Sequence, residues 1–111
     1  MPRVAVYAAY DPTNDGEVAA IGRSSALFDE VVVASDAQHL STLREATRAF
    51  ANVRCEARTD TVAELARANR ASHVVRTITR VSESAVVLAD AHEDQRALPD
   101  LVSVILYGNT R

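Results

Sequence analysis

The sequence predicts an α/β fold: a Rossmann-like three-layer αβα domain around a five-stranded parallel sheet, in the order 3-2-1-4-5. Three observations carry that prediction. Short β-branched runs alternate with amphipathic stretches along the whole chain. The stretches between runs are about ten residues or longer, which suits crossover helices and is too long for hairpins. The second run, Glu30 to Ser35 (EVVVAS), is apolar without alternation, as in a strand covered on both faces.

Each element has its own signal. Arg3 to Ala9 (RVAVYAA) is a strand bounded by the turn-rich Asp11-Pro12-Thr13-Asn14-Asp15-Gly16. From Glu17 onward, Val18, Ile21, Ser25 and Phe28 mark one helix face; Asn14 or Asp15 is placed to cap it, and Glu17 suits the positive end of its dipole. After the second strand, Leu40, Leu43, Thr47 and Phe50 space a second helix, with Ser41 near its start. Asn52 to Glu56 is the third strand. Asp60 is positioned to cap a third helix carrying Val62, Leu65, Ala66 and Asn69. Ser72 to Arg76 is the fourth strand, Ser82 to Leu98 a long helix, and Leu101 to Tyr107 (LVSVILY) the fifth strand. In such a sheet ligands bind beyond the carboxyl ends of the strands where the strand order reverses, here between the first and fourth. The loops to inspect are Tyr10 to Gly16 and Thr77 to Val81.

Composition narrows the function classes. The 111 residues suit one domain, 1–111. No apolar run approaches the about 20 residues of a membrane span, and Met1-Pro2-Arg3-Val4 does not open a signal peptide. The single cysteine, Cys55, forms no internal disulfide and reads as a small core residue, so a cytoplasmic setting is expected. A net charge of −3 argues against a nucleic-acid clamp. All twelve basic residues are arginine, which points to a GC-rich bacterial genome or that of a virus infecting such a host. His39, His73 and His92 have no metal-ligand spacing, so neither a metal nor another cofactor is expected.

At the two loops the sequence resembles the phosphopantetheine adenylyltransferase family, nucleotidyltransferases with a T/H-x-G-H signature. That family opens with a strand, then G-S-F-D-P-x-T-x-G-H, then a helix ending L-F-D-E-V-x-V-A. Here the stretches are VAVYAAYDPTNDGE and ALFDEVVVA (Ala26 to Ala34). The family's A-D-x-I-V-R-G-L-R-x-V-S-D is matched by ASHVVRTITRVSE (Ala71 to Glu83), and its A-H-M-N-R-x-L-x-P-E-L-x-S-V-F-L by AHEDQRALPDLVSVIL (Ala91 to Leu106). The resemblance runs from residue 3 to about 107 and implies the same fold.

The active-site letters depart from the family. Its second signature histidine donates to the α-phosphate of ATP; Glu17 stands there, and an ionised carboxylate donates nothing. Two unit charges about 4 Å apart interact by about 4 kcal/mol at an effective dielectric near 20, so exchanging attraction for repulsion matters. The family threonine that orients the acceptor phosphate becomes Asn14, and the glycine-serine pair shrinks to Ala9 before Tyr10. Asp11, Pro12 and Gly16 stay in place. The family lysine after the second strand has no counterpart, since the chain contains no lysine. Of the two arginines in R-G-L-R, Arg76 keeps the first; Thr79 takes the second, with Arg80 beside it, and the family Y-E pair becomes Val86-Val87. The family continues to a helix whose N-terminus holds the triphosphate; the present sequence stops at Arg111 before reaching it.

Against this pattern the expectation is a catalytically inactive relative, with no catalytic residues, that acts by protein contact. The implied partner is a genuine phosphopantetheine adenylyltransferase or a second copy of the chain, and the effect is modulation, most simply inhibition, of coenzyme A synthesis. Partner-interface candidates are Val86, Val87, His92 and Arg96, on the helix and family-like segment near the C-terminus. Two alternatives remain: a nucleotide or phospho-ligand sensor using Asn14, Gly16, Arg76 and Arg80, and a minimal active transferase. Arg76 also has a purely structural reading, as the partner of a nearby carboxylate.

Overall fold

A computed structural model describes residues 3–7, 16–57, 61–78 and 81–107. Five parallel strands form one sheet in the order β3-β2-β1-β4-β5. They are β1 (Val4–Tyr7), β2 (Glu30–Ser35), β3 (Val53–Ala57), β4 (His73–Ile78) and β5 (Val102–Tyr107). Among the described residues four α-helices connect them: α1 (Gly16–Leu27), α2 (Leu40–Ala46), α3 (Val62–Ala68) and α4 (Ser84–Ala97). The architecture is the one the alternation of runs predicts, with β1 and β4 adjacent at the reversal of strand order.

The register fixes two faces. Ala5 and Tyr7 of β1, Val31 and Val33 of β2 and Val75 of β4 share one face with Ala20 and Ile21 of α1 and Leu43 of α2. Val6, Val32 and Val74 share the opposite face with Ala66 of α3 and with Leu101, just before β5. Residues 31 to 35 of β2 are all buried, which is why that run shows no alternation. β3 lies at an edge and is only half covered, so it tolerates the exposed Arg54 and the half-buried Glu56.

The helix boundaries correct several expectations. α1 buries Glu17, Ala20, Ile21 and Ser24, and Phe28 just beyond it. The predicted stripe through Val18 and Ser25 is turned by about one residue, and the helix tolerates the shift because Ala and Ser fit under it. Asn14 and Asp15 lie outside the described residues. A 3₁₀ turn (Ala37–His39) leads into α2, whose N-cap His39 makes no side-chain capping bond; Ser41 lies within the helix. α2 ends at Ala46, so Thr47 is its C-cap, with its hydroxyl donating to the Leu43 carbonyl, and Phe50 lies beyond it. Phe50 instead meets α1 at Gly22, where a Cβ would stand 2.8 Å from the ring. The N-cap of α3 is Thr61, whose hydroxyl accepts from the Glu64 amide at 3.2 Å; Asp60 lies outside the described residues.

The C-terminal end of α1 is satisfied by distant groups. Asn52 donates to the carbonyls of Ser25 (2.8 Å) and Phe28 (3.0 Å), and Arg3 donates to that of Leu27. These bonds serve orphan carbonyls in a helix with no basic residue in its last turn. Among the described residues, no helix is long and apolar enough to cross a membrane.

Candidate functional site

The carboxyl ends of β1 and β4 carry two buried polar groups, on opposite faces of the sheet. On the α1 face, Tyr7 ends β1 and Glu17 sits in the first turn of α1. The Tyr7 hydroxyl donates to Oε2 of Glu17 and lies 3.1 Å from Oγ1 of Thr77. Tyr7 is 1% exposed and Glu17 6%. Burial is the main cause that pushes the Tyr7 hydroxyl far above its ordinary pKa, and its bond to Glu17 adds to it. Tyr7 is therefore a neutral donor that holds a carboxylate in place. Glu17 is stabilised by a buried tyrosine as well as by the helix end that the sequence suggests.

On the other face, β4 directs Arg76 toward α4. Its Nη2 lies 2.5 Å from Oδ2 of Asp94, with both side chains 9% exposed. The pair is held by charge, since neither Arg76 Nη1 nor Asp94 Oδ2 has a hydrogen-bond partner among the described residues. Arg76 thus has a buried carboxylate partner. It also lines a cavity of about 250 Å³ with Thr61, Val62, Asp90, Glu93 and Asp94. Three carboxylates surround one guanidinium there, so a phosphate entering the cavity meets net negative charge.

The candidate ligand residues are not gathered into one pocket. Gly16 is the exposed first residue of α1, next to Glu17, whereas Arg76 points to the opposite layer. Asn14 and Arg80 lie outside the described residues. On α4, Val86 is 64% exposed, His92 and Arg96 are exposed, and Val87 is half-buried. Arg96 lies 3.1 Å from Glu93 on the same helix.

Sequence reasoning missed Tyr7, Thr77 and Asp94, although each left a signal. Tyr7 pairs with Val75 across β1 and β4, so alternation puts Thr77 on Tyr7's face. Asp94 follows Ala91 by three residues, the spacing of a sheet-facing helix stripe. A second cluster sits at the start of β4, where the His73 ring packs 4.9 Å from Phe28 and Arg3 lies over the other ring at 5.3 Å. Burial, with Arg3 adding to it, lowers the His73 pKa below its ordinary value. Among the described residues no group of three or more His, Cys, Asp or Glu side chains is arranged to hold a metal ion. A comparison with protein-family models finds none that matches the chain.

Proposed function

We propose that the protein is a catalytically inactive, phosphopantetheine adenylyltransferase-like pseudoenzyme that acts by protein contact. It binds or co-assembles with a genuine phosphopantetheine adenylyltransferase, and its simplest effect is inhibition of coenzyme A synthesis. The observation that carries the reading is Glu17. Where the family places a histidine that donates to phosphate, this chain buries a carboxylate and secures it with Tyr7. Nucleotidyl transfer works by positioning and by stabilising developing negative charge. A fixed carboxylate at the start of α1 opposes both.

Arg76 supports the same reading. Its charge is matched by Asp94, and Asp90 and Glu93 line the space around it. That also weakens the sensor alternative, which needs Arg76 for an anionic ligand. The scaffold itself is intact: a five-stranded sheet in the family's predicted order, with its core filled from both sides.

The test mixes the purified chain with a phosphopantetheine adenylyltransferase from a GC-rich bacterium. Recovery of the enzyme on the immobilised chain, with a change in its rate of pyrophosphate release, supports the proposal. No recovery and no change in rate overturn it. Pyrophosphate release by the chain alone, above a blank, overturns the inactive assignment.

A further inference from the structure

Among the described residues the sheet has two edges, and they are protected unequally. On β3, Arg54 lies 3.0 Å from Glu30 and 3.2 Å from Glu56, and it donates to Asn69 at 2.5 Å. A strand approaching that edge has to displace or desolvate an ionic network. On β5, the six residues VSVILY contain no charge, proline or glycine. Natural proteins protect open edges with charges and proline, and an edge without them is a template for another strand. Val102 and Tyr107 at its two ends are 48% and 63% exposed.

The register shows which backbone groups face away from β4. The Val102 amide donates inward to the Ser72 carbonyl at 3.0 Å. Alternation then aims Val104 and Leu106 toward β4, and directs the amides and carbonyls of Ser103, Ile105 and Tyr107 outward. The contact given to the Tyr107 carbonyl agrees with this, since it comes from a side chain, Arg23 Nη1 at 3.4 Å, and not from β4.

We infer that β5 is a homodimerisation edge, on which a second copy of this chain pairs antiparallel about a two-fold axis through Ile105. The occupant follows from complementarity. An uncharged, mainly apolar strand matches another of the same kind, and the other edge of this sheet is charged. A β5-to-β3 contact is also heterologous and does not close, whereas β5-to-β5 is isologous and does. The two-fold opposes Ile105 to its own copy and Ser103 to Tyr107 of the second copy. Every outward amide and carbonyl of the three residues is then used, the Tyr107 carbonyl exchanging its long contact from Arg23 for the second copy, giving about six inter-chain hydrogen bonds. Pairing of this kind keeps each face of one sheet continuous with the same face of the other. On the α4 side it brings the two α4 helices together, where Leu88 is 45% exposed and away from the Asp90–Glu93 flank that faces α3.

The inference rests on the sheet edge and not on the proposed partner enzyme. A chain that ignores the adenylyltransferase leaves it standing, and a monomeric chain leaves enzyme binding standing. The test is light scattering on the full chain at tens of micromolar, with hydrogen exchange read at single amides. Twice the 12.0 kDa chain mass is expected, with the Ile105 amide exchanging at least tenfold more slowly in the dimer than after dilution. Ile105→Pro deletes an outward amide and no bond to β4; Tyr107→Lys adds an edge charge at an exposed position, so it covers the case in which the proline variant does not fold. A folded variant of either kind is expected at the monomer mass. A wild-type monomer, a mass that keeps growing with concentration, or a dimer that persists in folded Tyr107→Lys with a fast-exchanging Ile105 amide overturns the inference.

Discussion

Asp94 shows how one residue changes the meaning of another. Arg76 has two readings from sequence, an anion-binding residue at a strand end and the partner of a nearby carboxylate; Asp94 lies 2.5 Å away and both are buried. Removing one member of a buried pair leaves the other charge uncompensated, at a cost of about 3–5 kcal/mol, whereas replacing both with apolar residues of similar volume is close to neutral. Asp94→Ala is therefore expected to lower the urea midpoint sharply, and Arg76→Met with Asp94→Leu to recover most of it. Equal losses in the single and double variants would show that the pair is not coupled. His73 gives a second prediction at this scale. Its folded pKa lies below 6.5 because burial and Arg3 disfavour the charged ring. The unfolded chain then binds the extra proton more readily, so stability is lost as pH falls from 6.5 through the folded value. Proton NMR of the His73 ring should give a midpoint below 6.5, and His73→Phe should flatten that part of the stability profile. A midpoint at or above 6.5 would count against this account.

At the scale of elements, legibility follows how local the cause is. β2 was readable to the residue because three consecutive valines between covering helices leave no polar face to confuse. The burial of Glu17 was not, because its partner Tyr7 stands ten residues away on another element and Glu17 looks ordinary at a helix start. The end of α3 is intermediate. Asn69 is the C-cap, and Arg70 follows with a positive φ of 53°. The Arg70 amide donates to the Arg67 carbonyl at 3.2 Å, and the Ala71 amide to the Ala66 carbonyl at 2.8 Å. These two bonds form a Schellman ending, which favours glycine where Arg70 stands. Without the glycine signal, the sequence marks the stop only weakly. Arg70→Gly removes the left-handed penalty on a residue with a Cβ, partly offset by the greater freedom of glycine in the unfolded chain. A gain of up to about 1 kcal/mol in thermal or urea unfolding is expected, and a loss would contradict the strain assigned to that position.

For the whole molecule, fold and chemistry are carried by different residues. The fold rests on apolar pattern and strand order, so it survives the loss of any one polar group. Family chemistry rests on several polar groups converging at one end of the sheet. Here Glu17 is held by Tyr7 on one face, Arg76 is matched by Asp94 on the other, and the chain has no lysine at all. On the proposed reading, reinstating one letter does not reinstate the reaction. Glu17→His supplies a donor, but the chain has no lysine to reach the phosphates and Arg76 stays paired. It also removes the carboxylate that accepts from the buried Tyr7 hydroxyl, and losing a charged hydrogen-bond partner in a buried site costs about 1–3 kcal/mol. The expected outcome is a lower melting temperature with pyrophosphate release still at the level of a blank. Turnover by Glu17→His, even slow, would mean that a working phosphate site lies beneath one wrong residue, and that the pseudoenzyme reading misjudges how much of the chemistry is gone.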